Sequence, residues 1–426
     1  MAANSRTNKQ GKKSLPGDFL KRAINLFGKE KKNSWYKEIF PSSYYKTYFQ
    51  SPSRPVWMPR EYEKFADEAY VKNVVAYRCI SMISQSAASV PLKLSHGFGE
   101  DRIELKDHPV LRVISKPNPC CSGKEFFEKI YAYRMISGNA FLLSVRSQDG
   151  MPREIYALRP DRVSIVPGKD SIPSSYQYAV GKDVRNFPVD KITGDSDILH
   201  IKNFHPLNDW YGMSPIEAAA YSIDQHNQAG SWNQSLLQNG AKPSGALIVK
   251  ANDDGSGGVL TDDQFTRIKD QVDTQYSGAA NAGRPLLLEG GMEWKEMSLS
   301  PKDMDFIESK NSSARDIALA FGVPPQLLGI PGDNTYSNLV EARIALWEQT
   351  ILPLVDNVAN SLNNWLLPNF GKDLHFRYDT ENISALAPKR EKVWTRLEGA
   401  DFMTINEKRH AVGLDPIEGG DKLFKE

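Results

Sequence analysis

The chain has 426 residues, 40% hydrophobic and 25% charged, which is the balance of a soluble globular protein long enough for two or three compact modules. A formal net charge of +1 gives no global attraction to nucleic acid or anionic membrane, so a protein that grips DNA along its whole surface is disfavoured. Three cysteines, Cys79 and the neighbours Cys120 and Cys121, make neither a disulfide framework nor a CxxC zinc pair, and no stretch reaches the apolar length of a membrane helix.

Residues 1–55 differ from the rest. Lys9, Lys12, Lys13, Lys21, Arg22, Lys29, Lys31 and Lys32 lead a clear excess of cations, with Phe19 to Phe27 at amphipathic spacing. The composition is that of a mobile basic tail, or of an arm that touches a partner or packaged DNA. Phe19-Leu20 is interrupted at once by Lys21-Arg22, so a signal-peptide core is missing and synthesis in the cytoplasm is expected.

From Val71 to Ser89 the apolar residues Val71, Val74, Val75, Ile80, Met82 and Ile83 predict a helix that Val90-Pro91 ends. Leu92-Lys93-Leu94 reads as a strand. Ser122 with Glu125 three residues on is a capping box for a helix carrying Phe126, Phe127, Ile130, Tyr131 and Met135. Short runs starting at Gly138-Asn139-Ala140, Ile155, Val163, Tyr176 and Ile198, separated by Gly, Pro and Asp, predict antiparallel strands. Residues 56–211 are therefore expected to form an α+β module.

Ser214 then caps a helix that runs to about Asn239, where Gly240 stops it. Residues 243–299 predict a small module: a strand near Leu247, a helix capped by Thr261 and ending near Tyr276, and strands around Leu286–Leu288 and Trp294. At Ser300-Pro301 the punctuation is clear again. An N-cap, a proline at the first helical position and apolar residues Met304, Ile307, Ala314, Ile317, Ala318 and Phe321 predict a helix of roughly 30 Å. Gly322 ends it and Pro324-Pro325 forbid continuation. A second helix restarts near Asn338, with Leu339, Leu346, Trp347, Ile351, Leu354, Val358, Leu362 and Trp365 in one stripe and a kink at Pro353. The strand Leu374–Tyr378, a helix from Pro388 to Ala400 and a capping box at Thr404 and Glu407, with Gly413 as stop, complete the chain.

The sequence holds no enzyme constellation. No Gly-Lys pair continues into a P-loop, the seven histidines form no HExxH, and no G-x-S-x-G elbow occurs. His200 and His205 read as structural. Asp379 and Glu381 carry the faint suggestion of a metal-dependent nuclease, against the commoner reading as a solvated turn. Neither a catalytic residue, a metal site nor a cofactor is assigned.

The loop G-V-P-P-Q-L-L-G followed by T-Y-S-N closely resembles the signature of phage portal proteins of the lambdoid, siphovirus type. V-A-Y-R-C-I-S-M-I-S-Q-S-A-A-S-V-P, G-N-A-F-L-L, L-R-P-D-R-V, H-I-K-N-F with G-M-S-P-I-E, and M-T-I-N-E-K-R-H-A-V-G-L-D-P extend that resemblance over residues 56–426. It implies an α+β portal fold. Residues 56–211 would be the wing, 212–242 the first stem helix, 243–299 a small α/β clip and 300–321 the second stem helix. The loop 322–338 would hang into a DNA channel, 339–380 would carry a long helix and a return strand to the wing, and 381–426 would form a short helical crown. The implied protein is no enzyme. It would be a ring of twelve copies at one capsid vertex of a virion, assembled in the host cytoplasm. Double-stranded DNA would pass through it, and the terminase large subunit, major capsid and scaffold proteins and a head–tail adaptor would be its partners. The competing classes are a metal-dependent DNA-processing enzyme and an unrelated helical scaffold.

Two groups of residues follow from the resemblance. The channel loop would offer Val323, Gln326, Leu327, Leu328, Ile330, Asp333, Asn334 and Tyr336; the clip would meet motor or connector through Asp262, Lys269, Asp270 and Trp294. The loop has no Lys, Arg or His, and Asp333 is its one charge. Each cation in such a ring would add salt-dependent grip on DNA phosphates. Its absence suggests an apolar, weakly repelling washer, or alternatively that Leu327, Leu328 and Ile330 only pack the loop against its own stem. The apolar stripes of both stem helices are expected to be buried between neighbouring subunits.

Overall fold

The computed structural model describes residues 62–97, 102–168, 172–238, 245–249, 261–275, 292–296, 306–331, 336–412, 414 and 416–423. The chain divides into Met1–Val56 and Trp57–Glu426, and all described residues belong to the second unit.

Asn73 fixes where the first long helix begins. Its Oδ1 accepts from the N–H groups of Val75 (3.1 Å) and Ala76 (3.0 Å), satisfying two donors that a helix start leaves open. Helix α1 therefore spans Val74–Ala88, and a separate wide turn, Phe65–Val71, precedes it. This corrects the expected start at Val71. The core face is Ala76, Cys79, Ile80, Ile83 and Ala87, while Val71 and Val74 face solvent. The chain continues through β1 (Leu92–His96), β2 (Ile103–Leu105) and α2 (Pro109–Ser115). Helix α3 (Gly123–Ser137) starts in the predicted capping box of Ser122 and Glu125 and ends on Gly138 in the left-handed region, φ 73°.

Six strands follow: β3 (Asn139–Arg146), β4 (Pro152–Leu158), β5 (Val163–Pro167), β6 (Pro173–Val180), β7 (Asp183–Pro188) and β8 (Ile198–Lys202). They make two antiparallel three-stranded sheets, ordered β4-β3-β8 and β5-β6-β7. Phe141, Leu158, Val163, Ile165, Tyr176, Val189 and Ile198 form a core shared by the two sheets. Strands β2 and β7 escape the sequence pattern because most of their side chains are exposed, so neither carries a buried face to recognise.

A second and larger core gathers the helices. Here α1 and α3 meet α4 (Pro215–Gln238), α6 (Phe306–Ala320) and α8 (Leu352–Trp365), with β1 paired between β2 and β11 (Leu374–Tyr378). Between α4 and α6 the chain forms β9 (Gly245–Val249), helix α5 (Asp262–Gln275) and β10 (Met292–Glu296), the two strands pairing antiparallel with Trp294 opposite Leu247. The Ser300 cap and the strand near Leu286–Leu288 lie outside the described residues.

Helix α7 (Tyr336–Leu346) runs into α8 through one wide turn, Trp347–Ile351. The turn has a cause. Pro353 cannot donate to the carbonyl four residues back and would clash with it; a wider turn relieves both conflicts. The expected kink is this turn, closed by Leu352 N–H on Trp347 O. Helices α9 (Ala387–Glu398) and α10 (Ile405–Ala411) follow, α10 in the predicted Thr404–Glu407 capping box; Gly413 lies outside the described residues.

Candidate functional site

Helices α4 and α6 lie antiparallel. Ser222 Oγ reaches Asp316 Oδ2 (3.5 Å) and Ser313 Oγ reaches Gln225 Oε1 (3.4 Å), so the start of α4 and the end of α6 share one end of the pair. Ile216, Ala219 and Ile223 of α4 are buried with Ile317 and Phe321 of α6 in the same core of this chain. Each large apolar side chain so buried stabilises the fold by about 1.5–3 kcal/mol. For these residues the expected burial between neighbouring subunits is corrected, because the chain's own packing covers them; Met304 and the side chains of Leu236 and Leu237 lie outside the described residues. Ile307, read as part of the stripe, is instead 78% exposed, as is Leu319.

The end of α6 closes in a Schellman motif. Gly322 takes φ 67°, its N–H donates to Leu319 O (3.0 Å), and Val323 N–H donates to Ala318 O (2.9 Å). Thr350 Oγ1 donates to Gly322 O (2.7 Å), and a Cβ on Gly322 would stand 2.7 Å from that hydroxyl. The chain then makes one tight turn, Pro325–Leu328, and exits on Gly329 at φ 71°. Val323 and Ile330 are buried, and Leu327 and Leu328 are half-buried against the large core. Of the two readings of these residues, packing against the loop's own stem describes their geometry. Gln326 is half-buried; Asp333, Asn334 and the side chain of Tyr336 lie outside the described residues. One contact had no sequence signal. Arg315 of α6 donates through Nη2 to Pro331 O, so a helix cation braces the root of a loop that has none.

The start of α4 is held by a network of buried polar groups. Gly138 and Gly212 approach backbone to backbone: a Cβ on Gly138 would lie 2.5 Å from Gly212 O, and one on Gly212 would overlap Gly138 O. Asn139 bridges them. Its Oδ1 accepts from Gly212 N–H (2.7 Å) and its Nδ2 donates to Gly212 O (3.2 Å). The same Oδ1 lies 2.9 Å from His200 Nε2, which must therefore carry the ring's proton. Burial, and secondarily Lys202, push His200 down to about 3, so the ring is neutral near pH 7 and stacks on Phe141. Arg134, 5% exposed, donates through Nε (3.2 Å) and Nη2 (2.7 Å) to Asn203 Oδ1 and through Nη1 (2.9 Å) to Asn357 Oδ1. Burial lowers it to about 10, and it stays a cation. Ser214, the predicted cap, accepts from Ile216 N–H (3.0 Å) and donates to Met135 O (2.9 Å). The motifs G-N-A-F and H-I-K-N-F…G-M-S-P were visible as phrases; that they close on one another was not.

Asp262, Lys269 and Asp270 are exposed on α5, whose start is capped reciprocally by Thr261 and Gln264. Trp294 sits in β10, its side chain outside the described residues. Asp379 is committed elsewhere: its Oδ2 lies 3.1 Å from Lys93 Nζ, and its Oδ1 accepts from Glu381 N–H (2.8 Å). Burial alone would raise its carboxyl, but the Glu381 N–H and Lys93 together hold it below the usual carboxylate range. Glu381 thus offers Asp379 its backbone N–H, in a turn rather than a paired-carboxylate site. Among the described residues no group of three or more His, Cys, Asp or Glu could hold a metal, and no helix is long and apolar enough to cross a membrane.

Comparison with known proteins agrees with this frame. The family model described as phage portal protein matches residues 74–413. An uncharacterized protein of Rickettsia felis is 51% identical over 361 residues, 84% of this chain and 91% of that one. The portal protein of Enterobacteria phage HK97 is 24% identical over 370 residues, 84% of this chain and 83% of that one. A chain in the neck of a native gene transfer agent particle, computed with C12 symmetry, is 41% identical and superposes with a TM-score of 0.64 over 85% of this chain and 96% of that one. With a family match over residues 74–413 that spans the antiparallel pair α4 and α6 and the loop between α6 and α7, the chain belongs to the phage portal protein family.

Proposed function

We propose that this chain is a portal subunit that assembles with copies of itself, twelve in number, into a ring at one vertex of a capsid. Double-stranded DNA passes through the ring during packaging and ejection. The observation that carries the reading is the family match over residues 74–413, and the C12 symmetry of the similar neck chain supports the ring and its number. A heterologous contact repeated about a closing rotation gives a ring with a hole, which is the geometry a conduit requires.

In this reading the sheets and helices before Tyr211 are the wing, α4 and α6 the stem, α5 with β9 and β10 the clip, and α9 with α10 the crown. Exposed Asp262, Lys269 and Asp270, with Trp294, meet the terminase large subunit and later the head–tail adaptor. Major capsid and scaffold proteins meet the outer parts of the ring, and assembly takes place in the host cytoplasm. The loop 322–338 steadies passing DNA sterically, because its own residues carry no cation. The chain supplies no chemistry; energy for translocation comes from the motor that docks on it.

Gold labelling of an affinity tag on the chain in purified particles tests this directly. One labelled vertex per particle is expected, and particles made without the chain should lack DNA. Label spread over all vertices, or DNA-filled particles without the chain, would refute it. Asp333→Lys, which adds one cation per subunit, should spare ring assembly and add a drag on DNA that fades as salt rises.

A further inference from the structure

Several large apolar side chains are exposed on the described surface, and two groups of them are placed in a way that matters for a ring. The first is on the loop between β8 and α4. Phe204 is 86% and Leu207 78% exposed, yet the loop is firmly braced. Lys202 Nζ donates to Asp209 O, Leu207 N–H donates to His205 Nδ1 (3.0 Å), and Asn208 Oδ1 accepts from Trp210 N–H (2.9 Å) and Tyr211 N–H (3.0 Å). A loop with so many internal bonds has already lost the freedom it would otherwise lose on docking. His205 Nε2 lies 4.0 Å from Glu217 on α4, and Tyr221, one turn further along the same face, is 58% exposed. The loop that carries Phe204 and Leu207 therefore lies beside the Glu217–Tyr221 face of α4.

The second patch is Val71 (73% exposed), Val74 (69%) and Tyr77 (48%) at the entry to α1. Asn73, between the two valines, bonds through Nδ2 to His226 Nδ1 (3.2 Å) and Asn227 Oδ1 (2.9 Å) of α4. These lie five and six residues beyond Tyr221, roughly on the opposite side of the helix at 3.6 residues per turn. The two patches thus flank α4 on opposite sides. A closed ring needs two different, mutually complementary surfaces on opposite flanks of each subunit.

We infer that the Phe204–Leu207 knob of one subunit docks on the Val71–Val74–Tyr77 patch of the next copy of this chain. The inference rests on the ring reading above and adds the two surfaces that close it. Uncovered in a monomer, these residues would be apolar groups of the size that interfaces bury at their centres.

Complementation tests it. The variants are F204D/L207D, which spoils the knob, and V71D/V74D, which spoils the patch. All four side chains are exposed, and thermal unfolding of each variant followed by circular dichroism should match wild type. Wild type should run at ring mass by mass photometry, and each variant alone should fall to the 47.8 kDa chain mass. Mixed in equal amounts, the variants should form dimers and go no further, because each retains one surface the other needs. Wild type that stays monomeric would sink the ring reading and this inference with it. Wild-type rings together with variant rings, variants that unfold early, or a mixture that stays monomeric would overturn this inference alone.

Discussion

At the start of α4, Gly212 lies backbone against backbone with Gly138; at the same end of the helix pair, where α6 finishes, Gly322 lies against the hydroxyl of Thr350. Both joints turn on glycines, and they are built from different materials. The first is sealed by buried groups with no slack: the Asn139 amide, the His200 ring, the Arg134 guanidinium and two main chains. The second is propped by side chains at the surface, Thr350 from one side and Arg315 from the other. A backbone-to-backbone contact has no compliant part, whereas a side-chain prop can rotate away. The first joint fixes the angle between sheets and stem. At the second, the chain beyond Gly322 is anchored by buried Val323 and Ile330. A conduit that must keep its frame and accommodate a moving duplex needs one joint of each kind.

The sharpest break should come from Gly212→Ala or Gly138→Ala. The added methyl meets main chain that cannot retreat, and a loss of about 3 kcal/mol or more is expected, read as failure to fold or a large fall in the urea midpoint. Arg134→Met should come next, at about 2–4 kcal/mol, because the Asn203 and Asn357 amide oxygens lose their buried donors. Arg134→Lys should rescue little, since an ammonium cannot reproduce the forked contact.

Acid should loosen the first joint before the second. His200 is neutral when folded and held near 3, while the unfolded ring has its ordinary value of about 6.5. The unfolded chain therefore binds the extra proton, and stability is full above about pH 6.5 and declines as pH falls toward 3. The slope this ring adds is about 1.4 kcal/mol per pH unit. His200→Gln should remove that component from a stability–pH curve; an unchanged acid slope would show that the ring does not govern it.

The second joint should yield more gently. Gly322→Ala asks an alanine to adopt φ 67° beside a hydroxyl, at a cost of about 1–2 kcal/mol. Adding Thr350→Ala should recover the steric part and leave the conformational part, which a double-mutant cycle separates. Arg315→Ala should be smallest, within about 1 kcal/mol of wild type in stability, but should raise hydrogen exchange at Gly329 and Ile330. If Gly322→Ala proved costlier than Gly212→Ala, the distinction between the joints would fail.

How far these joints could be read in the sequence follows from their range. Gly322 with Pro324-Pro325 and the boxes at Ser122 and Thr404 are local, so a few adjacent residues announce them. The stem stripe was legible too, but periodicity says only that a face is buried, not by which copy; here Ile317 and Phe321 pack within their own chain. Asn139 on Gly212, Arg134 on Asn203 and Arg315 on Pro331 join residues far apart in sequence or through backbone atoms, and composition holds no trace of them. The start of α1 was misplaced because Val71 and Val74 have the hydrophobicity of core residues while sitting on the surface. The apolar loop was visible, yet its burial depends on the turn at Pro325–Leu328 folding it back.

The account stands on the chain closing into a ring. Mass photometry of the purified full-length chain, with negative-stain images of the same sample, tests this most directly. The prediction is one species near twelve times the 47.8 kDa chain mass, seen end-on as a ring with a central hole. A sample that remains at the single-chain mass from nanomolar to high micromolar concentration, at low and high salt alike, would contradict it.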